Sequence, residues 1–290
     1  AAFLVDVGAD VTCCDLAVEM LDETSVKEAD MICFYLPMHT ATRLATIIVP
    51  RIKALNANAH LCFYGLYAPL NEEFLRTKLG GGTILGGEFE VGLVSLYNRL
   101  VGKNTVHRET QPEPVISLAK QIFLPPLRKG LPELSSYAYL VMDQNRHRVV
   151  GYTEASRGCK HLCRHCPVVP IYNGKFRIIQ RDVVIDDINQ QIAAGAEHIT
   201  FGDPDFFNGI GHAIRLVEDF HECFPEQTYD VTIKVEHLLK YEQYIKTLLQ
   251  TGCLFVTTAV EAVDDKVLRI LEKGHTRADF IHLVNLTKRT

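Results

Sequence analysis

Three cysteines stand at C-x3-C-x2-C spacing in the run Arg157-Gly158-Cys159-Lys160-His161-Leu162-Cys163-Arg164-His165-Cys166-Pro167. Thiolates held this close repel one another, and metal binding relieves the repulsion. Zinc or a four-iron cluster would ordinarily take a fourth ligand. Three cysteines on four irons leave one iron open, and an open iron can bind a small molecule. The other readings are a structural zinc knuckle completed by His161 or His165, and an electron-carrying cluster.

The elements around this loop must position it. Residues 149–155 read as a strand entering the loop. The pattern then alternates regularly: a helix over 183–194 stopped by Gly195, a strand over 198–202, a helix over 212–224 with Ile214, Val217, Phe220 and Phe224 inward. A strand over 229–235, a helix over 238–249, a strand over 253–260 and a helix from an Asp264 cap to Gly274 follow. These are four βα units, and functional residues in such an array gather at the carboxyl ends of the strands. Those ends supply Gly202 and Asp203, then Lys234, Glu236 and His237, then Glu261. For Lys234, Glu236 and His237, a satisfied network at the rim and a ligand contact are equally open.

The first third is also α/β. Residues 11–16, 31–36, 60–64 and 83–85 read as strands, and Thr40 as the cap of a helix carrying Leu44, Ile47, Ile48 and Ile52. Strands alternating with helices predict a doubly wound parallel sheet, with ligands beyond its strand ends. Those ends carry His39, Gly65 and the run Gly86-Gly87-Glu88-Phe89-Glu90. The expected division is 1–105 as a Rossmann-type domain, 106–148 as a proline-bearing linker with an added strand over 137–141, and 149–290 as a barrel.

At 290 residues and 47% apolar composition, the chain can bury two cores. A net charge of -5 with scattered lysines and arginines offers no field to recruit nucleic acid. No run of 18 apolar residues and no basic-then-apolar leader occurs, which reads as a soluble, cytoplasmic protein without membrane partners. The nine cysteines are not a disulfide framework. Cys13, Cys14, Cys33, Cys62, Cys223 and Cys253 lie in apolar or periodic stretches and are expected in the core. The first residue is Ala1 within a helical pattern and the last is Thr290 within another, so a fragment is expected.

The cysteine run resembles the signature of the radical SAM superfamily, with His165 in the aromatic-type position before the third cysteine. Phe201-Gly202-Asp203-Pro204 resembles that family's G-G-E-P element, with Asp203 in place of Glu and Phe201 in place of the first glycine. Glu261 matches its G-x-E-S-type acid, and Lys273-Gly274-His275-Thr276 its K-G-x-T. The resemblance implies a 4Fe-4S cluster on Cys159, Cys163 and Cys166, with S-adenosylmethionine (SAM) chelated at the open iron and cleaved to a 5′-deoxyadenosyl radical. It places His165 beside cluster and adenine, Gly202 and Asp203 at the SAM amino group, and Glu261 at the ribose. A reductase, flavodoxin or ferredoxin would donate the electron, and the substrate would be a small molecule or peptide. Such barrels have six βα units, so the barrel is expected to be partial, truncated after about four. The strand-end run ending Glu90 resembles cobalamin-binding domains fused to radical SAM barrels, although no D-x-H-x-x-G is present to place a histidine on cobalt. With cobalamin, the implied reaction is methylation of an unactivated atom. Tyr35-Leu-Pro-Met-His-Thr40 and Phe201-Gly-Asp-Pro-Asp-Phe-Phe-Asn-Gly209 resemble the CUAEP/CCAEP-tail radical SAM proteins. No catalytic side chain is assigned, and the rival reading is a non-catalytic iron-sulfur electron carrier or sensor.

Overall fold

The computed structural model describes residues 1–102, 112–143 and 146–288. The chain folds as two α/β units, Ala1–Leu131 with Pro170–Tyr172, and Pro132–Val169 with Asn173–Thr290.

In the first unit, β1 (Met31–Tyr35), β2 (His60–Tyr64), β3 (Thr83–Gly87) and β4 (Ile116–Ser117) form one sheet in that order. All pairs are parallel, with Cys33 opposite Cys62, Phe63 opposite Ile84 and Gly86 opposite Ile116. Strand alternation sends Leu61, Phe63 and Ile84 to one apolar cluster, shared with Ala45, Val49 and Ile52 of the helix His39–Leu55. Cys62 and Leu85 go to the other face, against Leu93 and Leu96 of the helix Glu90–Leu100. Both faces are therefore covered, as a parallel sheet requires.

Several expectations change here. Residues 11–16 form no strand. Asp15 turns the chain instead: its side chain accepts from Ala17 N at 3.0 Å, a local bond that competes with a ladder. The sheet takes its fourth strand, β4, from the stretch read as linker. Of that stretch, residues 106–111 and 144–145 lie outside the described residues. Thr40 is not the helix cap: the helix begins at His39 after an extended Met38. Its buried stripe is Thr42, Ala45, Val49 and Ile52, while Leu44 is exposed and Ile47 is 73% exposed. Apolar residues lie on two sides of this helix, and packing on the sheet selected one of them. Cys14 and Cys223 are exposed, Cys13 and Cys33 half-buried, and Cys62 and Cys253 buried.

Gly87 closes β3 at a φ of +68°, where an added Cβ would sit 2.2 Å from the Ser117 carbonyl oxygen. That oxygen already accepts from Glu88 N at 2.8 Å, so the backbone cannot yield cheaply. Gly87→Ala is expected to cost on the order of 3 kcal/mol, combining left-handed strain with overpacking. Urea denaturation should show a lower midpoint at unchanged slope.

The second unit holds β5 (Tyr139–Val141), β6 (His147–Thr153), β7 (Ser156–Gly158), β8 (Phe176–Ile178), β9 (His198–Phe201), β10 (Thr228–Thr232) and β11 (Cys253–Thr257). The main sheet runs β11-β10-β9-β6-β5, parallel except for the antiparallel β5 at its edge. Phe201, Tyr229 and Phe220 pack edge-to-face inside it. The helix Arg181–Ala193 buries Val184 and Ile188, and Gly195 turns the chain at φ +98°. The expected helix over 238–249 is broken into Val235–Lys240, a 3-10 turn Glu242–Tyr244, and Ile245–Gln250. β10 stops at Thr232, so Lys234 precedes a helix instead of ending a strand. Asp264 caps the helix Asp265–Ile270, accepting from Lys266 N and Val267 N.

One polar helix face points inward. Gln191 accepts from Tyr152 N at 2.7 Å and donates to Tyr152 O at 3.1 Å. Its amide thus acts as a strand partner for β6 beyond the point where β5 pairing ends at Val149. Asp187 accepts from Thr153 Oγ1 at 2.8 Å, fixing the strand just ahead of the cysteine loop. No helix among the described residues is long and apolar enough to cross a membrane.

Candidate active site

The cysteine loop is the excursion of an antiparallel hairpin, β7 with β8, continued by Cys159 N donating to Lys175 O at 3.1 Å. Gly158, at φ +78°, releases the chain from β7. Cys166 N donates to Cys163 O at 3.1 Å and Val169 N to Cys166 O at 3.2 Å, two tight turns that bring the second and third cysteines together. All three are free thiols; Cys159 and Cys163 are 8% and 6% exposed, and Cys166 is half-buried. Burial pushes the Cys159 thiol above its ordinary value, and the neighbouring Asp205 and Cys166 push the same way against two hydrogen bonds. A thiolate there needs a cationic partner, which a metal provides. Asn208, buried in the 3-10 turn Phe206–Gly209, accepts from Lys160 N at 3.0 Å and fixes the start of the loop. Arg164 ties its middle down, donating its N–H to Leu271 O at 3.1 Å and pairing with Glu272 at 2.7 Å.

His165 and Glu261 are brought together. His165 Nε2 lies 3.1 Å from Glu261 Oε1, and the buried Lys273 donates to the same oxygen at 3.3 Å. Glu261 stands beyond β11 in the left-handed region, φ +66°. Partial burial raises its carboxyl, but Lys273 and His165 outweigh that and hold it below the ordinary value. Glu261 therefore stays a hydrogen-bond acceptor across neutral pH.

Gly202 and Asp203 follow β9. An added Cβ on Gly202 would meet Tyr152 Oη at 1.8 Å, so Gly202 makes room for that ring. Asp203 is 2% exposed, and both its oxygens are engaged: Ala155 N donates to Oδ2 at 2.8 Å and Ser156 Oγ to Oδ1 at 2.5 Å. It braces the connection from β6 to β7.

Two residues further on, Asp205 is the group that sequence reasoning missed. Its side chain is fully buried, Oδ1 caps Phe207 N at 3.2 Å, and Oδ2 lies 3.1 Å from His161 Nε2 and 2.7 Å from His237 Nδ1. Burial would raise this carboxyl, yet the two imidazoles hold it at about 2. The other nitrogen of His161 faces Glu236 Oε2 at 3.5 Å, and Lys234 donates to that same oxygen at 3.3 Å. Lys234, Glu236 and His237 thus form one network with the cysteine loop. The signal was Asp205 as the cap of a short turn opening on Phe206 and Phe207. His39 lies in the other unit, at the start of its helix.

Comparison with known proteins fits this geometry. Residues 153–290 match the Radical SAM superfamily profile. The tRNA-2-methylthio-N(6)-dimethylallyladenosine synthase of Malacoplasma penetrans (strain HF-2) is 22% identical over 258 residues, covering 82% of this chain and 46% of that protein. The Bacillus subtilis (strain 168) protein of the same description is 23% identical over 171 residues, covering 53% and 30%. The chain spans less than half the length of these curated relatives. Among solved structures, the radical S-adenosylmethionine methyltransferase TsrM from Kitasatospora setae, with tryptophan substrate and a SAM analog bound, superposes at a TM-score of 0.78. Its identity is 18%, over 99% of this chain and 61% of that one. The cobalamin-dependent S-adenosylmethionine radical enzyme OxsB, with aqua-cobalamin and S-adenosylmethionine bound, superposes at 0.59 with 14% identity, over 91% and 40%. These structural likenesses establish the fold, and the profile match establishes the family: residues 153–290 of this chain belong to the radical SAM superfamily.

Proposed function

We propose that this protein is a radical SAM enzyme whose 4Fe-4S cluster is held by Cys159, Cys163 and Cys166, and whose N-terminal unit accommodates cobalamin. The observation that carries the reading is the set of three free thiols on one tight loop between β7 and β8, inside a domain of that family. Soft thiolates suit iron-sulfur chemistry. For a corrinoid, the fit lies at the ends of β1 to β3. There Tyr35, Tyr64 and Phe89 pack with ring centroids 4.9 to 6.0 Å apart, beside Gly65 at φ +105°. Gly65 leaves room for the Tyr35 ring, and an aromatic shelf of this kind suits a large flat cofactor.

When bound, the cluster supplies the electron that cleaves SAM, and cobalamin supplies a methyl group for an unactivated substrate atom. The chain's own residues then hold and orient. Glu261, fixed by Lys273 and His165, presents acceptors for ribose hydroxyls, and His165 packs its ring beside the adenine. Gly202 leaves backbone open to the SAM amino group, and Asp203 holds the approach to the loop. The substrate is a small molecule or peptide, and a reductase, flavodoxin or ferredoxin supplies electrons. An electron carrier would have no use for the Glu261–Lys273–His165 cluster.

Anaerobic reconstitution of metal-free protein should incorporate iron and sulfide. It should give a reduced-state EPR spectrum that shifts on adding SAM. Protein from cobalamin-supplemented medium should show corrinoid absorption. Failure to take up iron, or a spectrum indifferent to SAM, would overturn the cluster assignment. A preparation that never retains corrinoid would overturn the cobalamin assignment alone.

A further inference from the structure

The geometry points to a second metal site, for a single divalent transition ion, built by Cys159, His161, Asp205 and His237 and excluding the cluster because both need the Cys159 thiolate. Cys159 Sγ, a ring nitrogen of His161 and a carboxylate oxygen of Asp205 lie within 4.8 Å of one another. Donors on one tetrahedral zinc stand about 3.3–3.8 Å apart, given bonds of about 2.0–2.3 Å, so bringing these three onto one ion asks for roughly 1 Å of side-chain movement.

A second, independent observation concerns His237. It is buried, and its Nδ1 faces Asp205 Oδ2 at 2.7 Å without the alignment of a full hydrogen bond. A buried nitrogen held on a carboxylate oxygen in that geometry is incompletely satisfied. An ion shared with Asp205 would satisfy it. Asp205 is fixed for the task, since Oδ1 is taken by Phe207 N and Oδ2 is left facing both imidazoles. Glu236, 3.5 Å from the far nitrogen of His161, is the carboxylate that commonly orients a ligating histidine. One thiolate, two imidazoles and one carboxylate suit zinc, iron(II) or cobalt(II) far better than magnesium or calcium.

The four donors come from three separate segments: the cysteine loop, the turn after β9 and the helix after β10. Ion binding would pin them together in cluster-free protein. The cluster needs Cys163 and Cys166, which this site does not, so the two assignments can fail separately.

Cobalt(II) titration of cluster-free, full-length protein under reducing conditions tests the proposal. It should saturate at one equivalent, with the d–d bands of four-coordinate cobalt and a thiolate-to-cobalt charge-transfer band. The Cys163→Ser/Cys166→Ser double variant, unable to carry the cluster, should bind equally well. Asp205→Ala and His237→Gln should each weaken binding on the order of 100-fold, and Cys159→Ser should remove the charge-transfer band. One equivalent of zinc should block later iron incorporation into wild type. No cobalt binding, binding lost in the double variant, or binding indifferent to Asp205→Ala in a protein that melts like wild type would each overturn the site. If Asp205→Ala fails to fold, His237→Gln and the Cys159→Ser band report on the same four donors.

Discussion

Alanine at Cys159, Cys163 or Cys166 is expected to leave a folded protein that holds no stable 4Fe-4S cluster and no longer cleaves SAM. The expectation rests on the proposed ligand set and on a contrast of magnitudes. Removing one thiol from a buried position leaves a small cavity, a cost of about 1 kcal/mol. A domain of this size would then melt only about 2–4 °C lower. Cys166, half-buried, should cost least in stability. Cluster content should nevertheless fall to background in all three variants, because the loop then lacks an iron ligand that no other thiol replaces. Of the remaining cysteines, Cys13, Cys14, Cys33 and Cys62 lie in the other unit, and Cys223 and Cys253 on other elements. Iron and sulfide assay, EPR and product analysis give the answer, with thermal melts as the folding control. A variant that keeps full iron content and cleaves SAM at the wild-type rate would remove that cysteine from the set.

The cysteine loop and the βα alternation of the second half were legible because each is local. A cysteine spacing and a hydrophobic period survive in any contiguous stretch, and Asp264 announced its helix by its type and place. What escaped depends on pairing across the fold. Nothing in a run of sequence says that Asp205 faces His161, 44 positions earlier, and His237, 32 positions later. Gln191 and Asp187 belong to residue types that are usually solvated, whereas here an amide completes a strand edge. The helix His39–Leu55 misled for a related reason: with apolar residues on two sides, only the sheet could choose between Ile47 and Val49. β4 was missed since its two residues carry no period.

Asp203 should make the protein less stable as pH rises, and Asp203→Asn should abolish that dependence. Burial dominates its titration. Hydrogen bonds from Ser156 and Ala155 pull it down and Glu154 adds to the upward pull, leaving it at about 7 against an ordinary 3.8. The folded protein therefore holds this proton more tightly than the unfolded chain does. The stability it confers is fully present below about pH 4, declines as pH rises toward 7, and is gone above that. A shift of about three units at 1.36 kcal/mol each sets the total on the order of 4 kcal/mol. In Asp203→Asn the amide oxygen still accepts from Ala155 N, and the amide nitrogen donates to a Ser156 hydroxyl turned to receive it. That variant should match wild type near pH 4 and exceed it at pH 8. Asp203→Ala instead strands the Ala155 N–H and the Ser156 hydroxyl, at about 1–3 kcal/mol each, and should be the weakest of the three at low pH. Urea midpoints for all three from pH 4 to 8 decide the matter, since every other titrating group cancels in the differences. Parallel curves for wild type and Asp203→Asn would show that Asp203 is ionised throughout. SAM affinity separates brace from ligand: Asp203→Asn should bind SAM as wild type does, and a large loss would mean the carboxylate reaches the amino group directly.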